Sequence, residues 1–170
     1  MIQNIGIVGS GQMGAGIAHV AALADRNVVL LDVNEAVLNK ALEAIERNIQ
    51  RQVSRGKLED GAAERALKRI TITTDYSDFN VADLVIEAAT ENEGIKRKIF
   101  ETLVPNLSKE ALIASNTSSI SITRLASTTD RPGKFIGMHF FNPVPIMQLV
   151  ELIRGIATDD ATFIEIKKLS

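Results

Sequence analysis

The sequence contains no cysteine, which rules out disulfides, thiolate catalysis and cysteine-based metal sites. Histidine is nearly as scarce: His19 and His139 are the only two, so a histidine-rich metal centre is not expected. No apolar run approaches the roughly 20 residues a helix needs to cross a bilayer. The amino terminus passes straight into a strand pattern, leaving no room for a secretory signal. These absences lead to the expectation of a soluble, cytoplasmic protein with no membrane partner. Charge is close to balanced, with 19 basic and 21 acidic residues giving a net charge of −2, so nothing points to nucleic acid as a partner. The 170 residues, 45% of them hydrophobic, suffice for one domain with a substantial core.

Against that background, the stretch from Ile5 to Asp32 stands out. An apolar run (Ile5, Ile7, Val8) leads into Gly9-Ser10-Gly11-Gln12-Met13-Gly14, then an apolar helical pattern, then Val28-Val29-Leu30-Leu31 closed by Asp32. Strand, glycine-rich turn, helix and second strand ending in an acid form the unit that binds a dinucleotide. Gly9 permits the tight turn, Gly11 lets the backbone approach a pyrophosphate, and Gly14 lets the helix pack close to the strand. The free N–H groups and positive dipole end of the helix face the phosphates. Asp32 can accept hydrogen bonds from two ribose hydroxyls and would repel a 2′-phosphate, which favours NAD over NADP. Gly16, two residues on, reads as a close helix–sheet packing position.

Helix one is expected from Gln12 to Asp25, with His19 inside it as a partly buried or surface residue. Asn34 caps a long helix from Glu35 with Val37, Leu38, Leu42, Ile45, Ile49 and Val53 at helical spacing, broken by Gly56. A second helix over about Glu59–Arg69 completes a hairpin projecting from the sheet. Arg47, Arg51 and Arg55 recur every fourth residue and share one face, which is either a solvated face or a cradle for a phosphorylated substrate. Spacing does not choose between them. Beyond the hairpin, strands are expected at Ile70–Thr73, Asp83–Ala88, Ala111–Ser115, Phe135–Phe141 and Leu149–Ile153, with helices at Glu93–Leu103 and Ile122–Ala126. This alternation predicts a Rossmann-type, mostly parallel α/β sheet with helices on both faces. The direct turn between the last two strands suggests that this pair departs from parallel order. A final helical pattern, capped by Asp159 or Asp160, runs to the last residue without a closing turn.

Ligands of such a sheet sit beyond the carboxyl ends of its strands. Those positions hold Gly9–Gly14, Asp32, Glu91, Asn116–Ser119, His139 and Asn142. One imidazole, one carboxylate and several neutral hydrogen-bonders around NAD suit an alcohol–carbonyl oxidoreductase, in which a base takes the hydroxyl proton as hydride leaves the same carbon. His139 is the one group there that titrates near neutrality. Glu151, on the next strand, is a candidate to orient it. Spacing alone also allows a structural strand-end histidine and an exposed strand glutamate.

The segments GIVGSGQMGAGIA, IEAATEN, ASNTSS and HFFNPVPIMQLVE resemble the NAD-binding domain of the L-3-hydroxyacyl-CoA dehydrogenases, close to the bacterial 3-hydroxybutyryl-CoA group. The resemblance covers essentially residues 1–170. It implies an NAD-dependent 3-hydroxyacyl-CoA dehydrogenase with His139 as general acid/base and Glu151 as its partner. It also implies that Ser118 and Asn142 contact substrate or the nicotinamide end of the cofactor, that Glu91 and Lys96 lie on the cofactor side, and that Asn48 and Arg55 meet the CoA portion. Gly9, Ser10, Gly11, Gln12, Met13, Gly14 and Asp32 complete the expected cofactor site. Members of the family also carry a C-terminal helical domain that supplies a further active-site asparagine and the dimer contact. This sequence is expected to stop short of that domain, and so to bind NAD with weak turnover or none by itself. Two other readings remain: a β-hydroxyacid dehydrogenase relying on a catalytic lysine, which leaves His139 and Glu151 unexplained, and a non-catalytic NAD-binding or crystallin-like structural protein on the same scaffold.

Overall fold

In the computed structural model, which describes all 170 residues, seven strands form one sheet: β1 (Asn4–Val8), β2 (Asn27–Leu31), β3 (Ile70–Thr73), β4 (Leu84–Glu87), β5 (Leu112–Ser115), β6 (Phe135–Phe140) and β7 (Val150–Arg154). Their spatial order is β3-β2-β1-β4-β5-β6-β7. Six strands are parallel, and β7 runs antiparallel to β6, as the short turn between them suggested. The chain winds outward from β1 to β3 and then crosses back to lay β4 on the other side of β1. This switch point opens a crevice beyond the carboxyl ends of β1 and β4.

Six α-helices cover the sheet: α1 (Gln12–Leu23), α2 (Glu35–Ser54), α3 (Ala62–Leu67), α4 (Glu93–Leu103), α5 (Ile122–Ala126) and α6 (Asp160–Leu169). Successive strand residues feed opposite faces. Ile5 and Ile7 of β1 and Leu84 and Ile86 of β4 join the core beneath α1, α2 and α3. Val8 and Val85 join the core under α4 and α5. Asn34 and Asn92 cap α2 and α4 by accepting from the N–H groups of Ala36 (2.8 Å) and Ile95 (3.0 Å). No helix is long and apolar enough to cross a membrane.

Two expected helix bounds need correction. Helix α1 stops at Leu23, short of Asp25, whose positive φ of 61° cannot continue a helix. Helix α3 starts at Ala62 instead of Glu59, because Gly61 turns the chain with φ 79° just before it. The expected hairpin is present, and its inner face is packed: Leu38, Ala41, Ile45 and Ile49 of α2 and Ala62 and Ala66 of α3 are buried in the same core as α1. Truncating one of the buried isoleucines to alanine would cost about 2–5 kcal/mol, so the hairpin is an integral layer.

Candidate active site

The glycine turn is built as the dinucleotide reading requires. Gly9 has φ 99°, and a Cβ there would strike the backbone of Ala88 and Ala89. A Cβ on Gly14 would lie 1.8 Å from the Gly9 carbonyl oxygen, whereas one on Gly11 would meet nothing within 4 Å. The turn is therefore closed on its inner side and open outward over the start of α1. That helix has no side-chain cap and no acid in its first turn, so its first N–H groups are free for an anion. Ser10, nearly buried, points elsewhere: its N–H and its hydroxyl both donate to one oxygen of Asp32 at 2.7 Å. The second oxygen takes the Val33 N–H at 2.7 Å. Asp32 is thus pinned at the end of β2 with lone pairs left for ribose hydroxyls. These features fit an NAD pyrophosphate and adenosine ribose. Gly16, expected against the sheet, instead faces the turn after β6: its added Cβ would lie 2.9 Å from the Val144 Cβ.

Across the switch point lies a cavity of about 360 Å³ bordered by Met13, Glu91, Lys96, Ser118, His139 and Asn142. Its floor is polar and held in place. Lys96, 2% exposed, donates to Glu87, 0% exposed, at 2.6 Å. Glu87 also accepts from the Ser115 hydroxyl at 2.8 Å and the Ala89 N–H at 2.9 Å. Glu91 accepts from the Thr117 hydroxyl at 2.9 Å, the Ser118 N–H at 2.7 Å and the Ser118 hydroxyl at 3.1 Å. Partial burial pushes the Glu91 carboxyl up, but those donors and the Lys96 charge outweigh it and hold it below the usual range. Glu91 thereby ties the loop after β4 to the loop after β5.

His139 sits at the lip of this cavity, 21% exposed. It is the register partner of Glu151 across the antiparallel pair, and its Nδ1 lies 3.0 Å from a Glu151 carboxylate oxygen. That contact commits Nδ1 to the carboxylate and leaves Nε2 for a ligand. The Asn116 side chain accepts from the Phe140 N–H at 2.9 Å, which fixes the end of β6 beside the histidine. Gln12 and Asn48 fall in a second, smaller cavity that shares Asn142. Arg55, at the exposed carboxyl end of α2, lines neither. The structure therefore brings most of the expected site residues to one sheet edge and leaves Arg55 apart.

A family model described as 3-hydroxyacyl-CoA dehydrogenase, NAD binding domain, matches residues 4–170. The chain belongs to this family. It is 56% identical over 163 residues to a 3-hydroxybutyryl-CoA dehydrogenase of Bradyrhizobium diazoefficiens, covering 96% of this chain and 56% of that protein. A 3-hydroxybutyryl-CoA dehydrogenase of Mycobacterium tuberculosis is 44% identical, with 94% and 56% covered. Among solved structures, the (S)-3-hydroxybutyryl-CoA dehydrogenase PaaH1 of Ralstonia eutropha superposes with a TM-score of 0.97 at 46% identity, covering 99% of this chain and 60% of that one. The chain thus spans a little over half the length of the curated relatives it matches. As a member of the family's NAD-binding domain, it takes NAD as its cofactor.

One structural contributor to this domain is absent from the sequence reading: Glu87, which neutralises Lys96; Asn116, expected among the residues beyond the strand ends, anchors β6. For Glu87 a signal was present. An acid ending the otherwise apolar run Leu84-Val85-Ile86 sits where a fully buried strand should continue, and a buried carboxylate needs a cation.

Proposed function

We propose that this domain contributes the cofactor site and the proton-transferring base of an L-3-hydroxyacyl-CoA dehydrogenase acting on short acyl chains. The observation that carries the reading is the His139–Glu151 contact at the mouth of a cavity also bordered by Ser118 and Asn142. Nε2 of His139 accepts the proton of the C3 hydroxyl. The C–O bond becomes a carbonyl as the C3 hydrogen departs with its electron pair, giving the 3-oxoacyl-CoA. Glu151 holds the imidazole through Nδ1 and stabilises the imidazolium that forms. Ser118 and Asn142 hydrogen-bond the substrate and the nicotinamide end of the cofactor, while Glu91 fixes the orientation of Ser118. NAD, when bound, supplies the hydride acceptor. In the reverse direction, His139 returns the proton to the carbonyl oxygen.

The test is acetoacetyl-CoA-dependent NADH oxidation by the full-length protein. His139→Gln should lower kcat by roughly a hundredfold or more, the worth of a positioned general acid/base, and Glu151→Gln should lower it less. Undiminished turnover in His139→Gln would overturn the assignment. The relatives' names support the acyl-CoA substrate class, and the Glu151 contact at Nδ1, which leaves Nε2 uncommitted on a residue that borders the cavity, supports the role of the base.

A further inference from the structure

The parallel pairing of β5 with β6 stops at Ser115 and Gly137. Strand β6 runs three residues further, through Met138, His139 and Phe140, paired there only with β7, which lies at the edge of the sheet. His139 therefore stands on an overhang with a neighbouring strand on one side alone. Glu151 leaves 53% of its side chain exposed, so burial does little to fix the pair, and the backbone carries most of its alignment. Asn116, the residue after β5, bridges the place where the ladder ends. Its N–H donates to the Glu87 carbonyl of β4 at 2.8 Å, and its side-chain oxygen accepts from the Phe140 N–H at 2.9 Å. A backbone N–H can only donate, so this contact settles which way the carboxamide is turned. The Asn116 side chain thus stands in for the next ladder bond, beside a cavity that both Asn116 and His139 border.

We infer that Asn116 is a positioning residue for the hydride-transfer reaction: by holding the Phe140 N–H, it keeps the overhang of β6 at the angle that sets the His139 imidazole between the Glu151 carboxylate and the substrate. The role rests on His139 being the base proposed above, and Asn116 serves that base through the neighbouring backbone without handling a proton. Without the acceptor oxygen, the end of β6 is tied on the β7 side alone. A displacement of about 1 Å at a reacting group can cost up to a hundredfold in rate, so a bond of ordinary strength at this place has a large effect on turnover.

The test compares three variants of the full-length protein. Asn116→Leu has a similar volume and no acceptor, Asn116→Asp keeps an acceptor oxygen and loses the amide donors, and His139→Gln marks the loss of the base. With acetoacetyl-CoA and NADH, Asn116→Leu should lower kcat about tenfold or more with KM for both substrates little changed, the pattern of an interaction that matters in the transition state. Asn116→Asp should recover most of that loss. In parallel, NMR of the 170-residue chain follows the Phe140 amide and the His139 ring. Asn116→Leu should shift the Phe140 amide and move the His139 signals toward those of Glu151→Gln, whereas Asn116→Asp should leave both near wild type. Should Asn116→Leu not fold, Asn116→Ala takes its place. If the Phe140 amide shifts while kcat and the His139 signals hold, Asn116 only anchors a strand and the inference fails. An Asn116→Asp protein as slow as Asn116→Leu would overturn it as well, since the acceptor would then be irrelevant. If His139→Gln keeps full turnover, the acid/base reading itself fails, whatever the Asn116 variants do.

Discussion

Replacing Lys96 by methionine tests how the floor of the site is held. Methionine matches the length of the buried stem but leaves Glu87, which has no solvent exposure, with only the Ser115 hydroxyl and the Ala89 N–H as partners. Breaking a buried pair by removing one partner costs about 3–5 kcal/mol, a large share of the roughly 5–15 kcal/mol that stabilises a typical domain. At about 2–4 °C per kcal/mol for a chain of this size, the melting temperature should fall by roughly 6–20 °C. Glu87→Gln in the same chain should recover most of that loss, because both charges are then gone and the amide can still serve Ser115. Urea and thermal melts of wild type, both single variants and the double variant complete the cycle. A Lys96→Met protein within about 1 kcal/mol of wild type, or a double variant no better than the single, would show that the pair is not the anchor its geometry implies.

Three further outcomes follow from other contacts. NAD should raise the melting temperature of this chain, and Asp32→Ala should reduce that effect; an equal shift in both proteins would remove Asp32 from the ribose site. Gly16→Ala places a methyl 2.9 Å from the Val144 Cβ and should destabilise by about 1–3 kcal/mol as the turn is displaced, read by urea denaturation; an unchanged midpoint would show that the turn yields freely. Burial holds the His19 imidazole below its ordinary value of 6.5, with the Gln52 amide opposing. The unfolded chain therefore binds a proton that the folded chain resists, and stability falls as pH drops below 6.5, by at most about 1.4 kcal/mol per pH unit from this one group. His19→Leu should flatten that limb of a melting-temperature profile; parallel profiles would mean that the ring is protonated in place.

Much of the sheet was legible because its strands are short apolar runs between glycine, asparagine and proline signals. Ile70–Thr73 and the helix Glu93–Leu103 match the structure residue for residue. The glycine turn was legible because each glycine answers a separate steric demand. Helix ends were less so: Asp25 and Gly61 stop or start helices through positive φ, a property of tertiary fit that composition does not carry. The burial of His19 was not legible either. Its helix is apolar on several faces, and only the docking of α2 and the turn after β6 decides which face is closed to water. Gly16 was misassigned for the same reason, since its true neighbour, Val144, lies 128 positions away in the sequence. The link from Glu91 to Ser118 likewise joins loops after different strands, and no local pattern announces it.

The pairing of β6 with β7 sets a rule about length. His139 and Glu151 face each other because they are opposite members of one cross-strand pair, and side chains alternate between sheet faces along a strand. Sliding β7 by a single residue would carry Glu151 to the opposite face of the sheet. The segment between Phe140 and Val150 can therefore exchange many of its side chains and keep the pair, whereas an insertion or deletion of one residue that shifts the register would separate imidazole from carboxylate while leaving every residue of both strands in place. In this hairpin, the spacing between two residues is constrained as tightly as their identity.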